Sequence, residues 1–344
     1  MKKVTLILAL MLTSTLTFAQ DAEAPKSTPL EISGSGDLYY KYDFAKVPNI
    51  GTSFASDQNS VSLGMLDIAL KKSSGKASFV GEVSFGPRGQ YQSILNGDGT
   101  DINSFHIQNL YATYAFTDKF SMTAGYMGTF IGYEVISPVA NFNYSTSYLF
   151  TNGPFQNAGI KANYKISEKF GAMLGLFNDN WNVYKADPTK GLNAVGAQLS
   201  YASGPVSAYL NFMDGSVSGT IVDLTATFQL SEKFKLGLNI ADWAQEGDVG
   251  YTGFALYPIV GLTDAFSLGL RAEYFTAKEG ANLYGINADQ SVTAFTLSGN
   301  YKVGGLTVIP EFRLDSNSDD YFVDSDLNPT KSASQFTLAV VYGF

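Results

Sequence analysis

The sequence predicts an all-β chain closed into an antiparallel, up-and-down transmembrane β-barrel of about 16 strands, within roughly 14 to 18. Three observations carry this reading. Segments of roughly ten residues alternate apolar and polar side chains, the length and period of a tilted strand crossing a bilayer. Tight turns alternate along the chain with longer polar stretches. Charged residues make up only 15% of the 344 residues, while aromatics reach 14% and glycine 34 positions. A soluble domain carries about 25% charged residues; a wall that turns one face to lipid has no place for them on that face.

The first element is a leader. Lys2 and Lys3 precede an apolar run beginning at Val4, and Thr17-Phe18-Ala19 fits cleavage before Gln20. The run is shorter than the about 20 apolar residues a spanning helix needs. Residues 1–19 are therefore read as an export signal, 20–31 as a short periplasmic segment without room for a plug domain, and 32–344 as the barrel. No later apolar run reaches spanning length, which excludes a helical membrane protein. The absence of cysteine excludes both a lipidated Cys and a disulfide framework. Acidic residues outnumber basic ones by 31 to 22, and the leader takes two of the bases with it. Nucleic-acid binding needs the opposite balance. The expected location is the bacterial outer membrane.

The turns follow from a recurring phrase. It reads YAFTDKF at 114–120, YKISEKF at 164–170, FQLSEKF at 228–234 and VGLTDAF at 260–266. Each is flanked by alternating segments and reads as strand, short polar turn, strand. Further turns lie at 73–75, 203–204 and 304–305, on Ser-Gly and Gly-Gly chemistry. Between these turns run longer polar stretches at 44–59, 87–104, 132–154, 180–190, 215–219, 246–250, 277–290 and 316–333. Short connections at one rim and long ones at the other are the asymmetry of an outer-membrane barrel.

The strands show their faces. Phe336, Leu338, Val340, Tyr342 and Phe344 share one face, against Gln335, Thr337 and Gly343. Leu268, Leu270, Ala272 and Tyr274 oppose Ser267, Gly269, Arg271 and Glu273; Val308, Pro310, Phe312 and Leu314 oppose Thr307, Glu311, Arg313 and Asp315. Phe116, Phe120, Phe170, Phe228, Phe234 and Phe266 all flank short turns, where a ring of them makes an aromatic girdle.

The interior is where function is expected. A barrel this wide leaves an aqueous channel unless something fills it. Parity assigns Asp37, Lys41, Asp67, Glu82, Lys161, Lys165, Asp223, Lys235, Arg271, Glu273, Glu311 and Arg313 to the lumen. Acids and bases balance in that set, so weak ion selectivity is expected. Arg271 and Arg313 are expected to pair with Glu273 and Glu311. The third long stretch, 132–154, is the candidate to fold inward, with Glu134, Asn141, Asn143, Tyr144 and Tyr148 shaping a constriction.

Enzymatic and metal chemistry find little footing. His106 is the only histidine, so no multi-His metal site can form. Ser104 and His106 share a strand face but lack an orienting partner for hydrolysis. Asp98 with Asp101, and the run Asp315, Asp319, Asp320, Asp324 and Asp326, read as solvated loops. The second run lacks the sixth-position Gly and twelfth-position Glu of a calcium loop. No catalytic residue, metal or cofactor is expected.

One stretch carries a family likeness. Gly132-Tyr133-Glu134, followed by Asn141-Phe142-Asn143-Tyr144, Tyr148-Leu149-Phe150, Pro154 and Gly159, resembles the OmpL-like putative β-barrel porin-2 family of outer-membrane proteins. The resemblance implies a porin-like channel for passive diffusion of small hydrophilic solutes. The expected partners are outer-membrane lipid, the insertion machinery reading a final strand that ends in Phe344, those solutes, and further copies of the chain in a homo-oligomer. The alternative is a non-conducting structural, adhesive or receptor barrel that acts through its surface loops.

Overall fold

A strand that alternates its chemistry at every residue needs two different surroundings for its two faces. The chain supplies them by closing on itself. The computed structural model describes residues 27–86, 105–178 and 191–344, and in it sixteen antiparallel strands form one closed barrel. The first eight are β1 (Glu31–Asp43), β2 (Ser60–Ser74), β3 (Ala77–Phe85), β4 (Phe105–Ala115), β5 (Phe120–Gly128), β6 (Gln156–Lys165), β7 (Phe170–Asn178) and β8 (Leu192–Ser203). The wall continues through β9 (Val206–Gly215), β10 (Gly219–Gln229), β11 (Phe234–Gln245), β12 (Val249–Gly261), β13 (Phe266–Ala277), β14 (Ser291–Val303) and β15 (Leu306–Asn317). After β16 (Phe322–Val323) and β17 (Pro329–Thr330), a small separate hairpin, β18 (Ser332–Gly343) completes the wall.

Each wall strand pairs with its neighbours in the chain, and β18 returns to β1 from Ser35↔Gly343 to Asp43↔Gln335. Reciprocal backbone hydrogen bonds between Gly34 and Phe344, at 3.1 and 3.0 Å, finish the seam. Among the described residues no strand of the barrel wall is left with an unpaired edge, as a hydrocarbon surrounding requires. β1 starts one residue before the expected boundary. The expected leader and residues 20–26 lie outside the described residues, as do 87–104 and 179–190, which hold Asp98, Asp101 and Ser104.

Burial runs opposite to that of a soluble protein. Leu174, on the outer face, is 66% exposed, while Arg313, on the inner face of β15, is 0% exposed. The faces expected for β13, β15 and β18 are the ones observed. The repeated turn phrase has a mechanical cause. The hydroxyls of Thr117, Ser167, Ser231 and Thr263 each accept the backbone N–H groups two and three residues on, at 3.0–3.4 Å. The residue before each hydroxyl donates its own N–H to the phenylalanine carbonyl, at 2.9–3.0 Å. Four-residue turns are thereby closed without glycine. The two-residue turns instead use Gly75, Gly204 and Gly304 at φ of 57°, 55° and 60°. Rings collect beside the turns: Tyr114 and Phe116 lie 4.9 Å apart, and Phe170 and Tyr201 5.0 Å.

At the opposite rim the loops knit together over part of the mouth. Asn49, in the loop 44–59, exchanges two hydrogen bonds with Val323 in the loop 318–331, at 2.7 and 3.1 Å. Asn152 does the same with Tyr284, at 3.2 and 2.9 Å. Asn152 belongs to the loop 129–155, which enters the barrel.

Candidate functional site: a loop docked across the lumen

The loop between β5 and β6, here called L3 (residues 129–155), contains only a 3₁₀ turn at Pro138–Ala140 and one helical turn at Tyr148–Thr151. Irregular backbone inside a barrel is costly unless its N–H and C=O groups find partners. The far wall provides them from the charged side chains of β10, β13 and β15. Glu311 accepts the N–H groups of Tyr144 and Ser145 at 2.8 and 3.0 Å. Glu273 accepts those of Tyr148 and Leu149 at 3.0 and 2.8 Å. Asp223 accepts the N–H of Gly132 at 3.0 Å. In return Arg271 donates to the carbonyls of Ser145 and Thr146, and Arg313 to that of Thr146.

Side chains of L3 complete the attachment. Glu134 pairs with Arg271 at 2.9 Å and also accepts the Ser147 N–H at 2.8 Å and the Tyr257 hydroxyl at 3.2 Å. Tyr144 donates its hydroxyl to Asp37 on β1 at 2.5 Å. Tyr148 donates to Asp315 at 2.8 Å, and its ring lies 5.2 Å from the Arg313 guanidinium. Burial raises the Tyr148 phenol above its ordinary range. Asn143 donates to Ser298 at 2.7 Å. Asn141 acts within the loop, bridging the N–H and C=O of Val135 at 3.0 and 2.6 Å.

The interior charges therefore fall into groups that parity could not separate. Asp37, Lys41, Asp223, Arg271, Glu273, Glu311 and Arg313 lie on the inner wall but are buried, and most of them hold L3. Asp67 is also buried and accepts the Ser35 hydroxyl. Glu82, Lys161 and Lys235 keep partial exposure. Lys165 is exposed at the short-turn rim, where it pairs with Glu168 at 2.7 Å. The ion pairs expected within the wall are not those formed: Arg271 pairs with Glu134, and Arg313 with Asp315 at 2.8 Å. Asp315 itself is corrected. It is not in a solvated acidic loop but on β15 with 0% exposure.

Sequence reasoning passed over a second set of docking residues, Phe130, Tyr133, Phe142 and Leu149. Each of these L3 side chains sits on a glycine of the wall, respectively Gly196, Gly237, Gly269 and Gly253; a methyl group at any of them would press on the ring or chain above it. Tyr133 also stacks on Tyr257 with ring centroids 4.4 Å apart. The available signal was the glycines themselves, since glycine inside a strand marks close approach of another group. Gly132, at φ 89°, turns the loop entry toward Asp223.

L3 divides the interior without filling it. A cavity of about 470 Å³ opens on its short-turn side between the 3₁₀ turn and β1, β14, β15 and β18. Another, of about 320 Å³, lies between the loop entry and β8–β10. A third, of about 230 Å³, separates L3 from β2–β5.

Against this geometry stand the known proteins. The family model described as "Putative beta-barrel porin-2, OmpL-like" matches residues 29–344. No curated protein sequence matches the chain. Among solved structures, an anion-selective porin from Comamonas acidovorans is 14% identical at a TM-score of 0.61, with 93% of this chain and 100% of that one covered. Salmonella typhi OmpF, in complex with daunomycin, is 11% identical at a TM-score of 0.62, covering 92% and 97%. OmpT of Vibrio cholerae, in trimer form, is 12% identical at a TM-score of 0.56, covering 92% and 99%. At such identities the likeness is one of fold.

Proposed function

The chain belongs to the OmpL-like putative beta-barrel porin-2 family, and from that premise we propose that it is an outer-membrane channel for passive diffusion of small hydrophilic solutes. The observation that carries this is the placement of L3. The loop is tied to β10, β13 and β15, across the lumen from β5 and β6 where it originates, and the cavity against β2–β5 remains open beside it. A constriction fixed by buried charged groups keeps one bore, whereas a free loop would close and open it at random. Glu134, Tyr144 and Tyr148 set the position of the constriction in this reading; Asn141 and Asn143 shape the loop. Export through the leader, insertion guided by the final strand and assembly of several copies belong to the same proposal, the last supported by the trimeric Vibrio cholerae protein of like fold.

The test is conductance of the folded protein in a planar bilayer, with sugar-driven swelling of liposomes alongside. Stepwise openings with entry of small sugars support the channel. A second reading has its own observation: Tyr148, Arg313 and Phe275 are fully enclosed at the centre of the barrel, as they would be in a sealed barrel that works through its loops. Folded barrels giving neither current nor swelling would establish that reading instead.

A further inference from the structure

The cavity between L3 and β2–β5 carries charge of one sign. Among the described residues, its lining includes Glu82 and Glu134 and no lysine or arginine. Glu134 is neutralised from behind by Arg271. Among the described residues, Glu82 is in no ion pair. One of its oxygens accepts the Asn109 amide at 2.6 Å, and Asn109 is held in turn by the Gly128 N–H at 2.8 Å. Asp67 and Lys71, of opposite sign, both act on Glu82.

A second group points the same way. Gln156 is 2% exposed and lines this cavity. Its amide nitrogen donates to Gln108 at 3.1 Å, and Gln108 donates to Ser84 at 2.7 Å. In this arrangement the Gln156 oxygen is buried without a donor. Glu82 and Gln156, which line the cavity, thus bring a carboxylate and an unpartnered carbonyl oxygen to its wall, both acceptors. Phe150 and Phe155, edge to face at 4.6 Å, form an aromatic side.

We propose that this cavity is the selectivity site of the channel and that it favours cations that donate hydrogen bonds, the ammonium group of small amines above all. The inference rests on the channel reading and adds its selectivity. In this proposal Glu82 supplies the charge along the path, since Arg271 and Arg313 are buried together with Glu273 and Glu311.

The experiment is the reversal potential of the folded, full-length protein under a KCl gradient, repeated with methylammonium chloride. The native channel is expected to pass potassium over chloride and methylammonium over potassium. Glu82→Gln, of nearly the same shape, is expected to lower the potassium-to-chloride ratio by about threefold at low salt. Gln156→Leu is expected to reduce the methylammonium preference and leave the potassium-to-chloride ratio in place. Chloride preference in the native channel, or an unchanged ratio in Glu82→Gln, would overturn this inference while leaving the channel reading intact. Silent bilayers would overturn both.

Discussion

Glu134 and Arg271 stand 137 residues apart in the chain and meet at 2.9 Å in the centre of the barrel, both buried. The pair joins L3 to the far wall. Its Glu134 member also holds the start of the helical turn through Ser147, and its Arg271 member holds the carbonyls of Ser145 and Thr146. Loss of either partner strands a charge among groups that water does not reach.

Unpairing a buried charge costs about 3–5 kcal/mol, and the strand ladder is the more cooperative part of the molecule. Glu134→Ala is therefore expected to detach L3 and leave the barrel folded. Protease should cut within 132–154 in the variant and not in the native protein, and single-channel conductance should rise. A loop as resistant as the native one would rule this anchor out.

The glycine floor gives an independent handle. Gly237→Val and Gly269→Val place side chains where the rings of Tyr133 and Phe142 lie. Overpacking of this kind costs about 1–3 kcal/mol. Both variants are expected to form heat-modifiable barrels with a displaced L3, seen as larger conductance and faster amide exchange in 129–155. If the two positions exchange at native rates, L3 does not depend on these contacts.

The turn hydroxyls act on stability alone. Ser167→Ala and Ser231→Ala each remove the acceptor for two backbone N–H groups. Each is expected to lower unfolding free energy in denaturant by about 0.5–1.5 kcal/mol and to leave conductance unchanged. A change in conductance would mean that the short-turn rim communicates with the constriction.

Asp324 supplies a pH signature outside the membrane. Its carboxylate accepts the N–H groups of Asp326 and Asn328, both at 2.8–2.9 Å, and these bonds hold its pKa below the ordinary aspartate value. A depressed folded pKa contributes order that is present above the unfolded value and is lost as pH falls through the folded one. The tip 324–328 is thus expected to keep its amide protection through the usual aspartate range and lose it only at more acidic pH. Asp324→Asn should flatten that profile; a native profile that breaks at the ordinary aspartate value would refute the turn's role.

Family likeness and physical docking coincide in L3. Gly132-Tyr133-Glu134 contributes a backbone turn, a stacked ring and the central carboxylate, and Asn143, Tyr144, Tyr148 and Leu149 bind β13, β14 and β15 of the far wall. Asn141 carries the same stretch but serves the loop internally. The short motif was legible because several anchors are packed into few residues. The wall partners were not legible, because they are dispersed over Asp37 and 223–315 and look like ordinary inward-facing positions.

By itself the sequence determined what is local. Hydroxyl-capped turns, period-two alternation and aromatic residues at strand ends depend on neighbours a few positions away, so strand number, order and the inward faces of β13, β15 and β18 could be read from them. Parity says that Arg313 and Asp315 face inward; it does not say what occupies the space they face. That was decided only by closure of the barrel, which brings L3 within hydrogen-bond distance of side chains 91 to 167 residues away. Once L3 crosses the lumen, its unpaired backbone groups claim the wall's carboxylates and guanidinium groups. Most of the buried inner charges become attachment points, and Glu82, on the side the loop leaves open, is in no ion pair among the described residues.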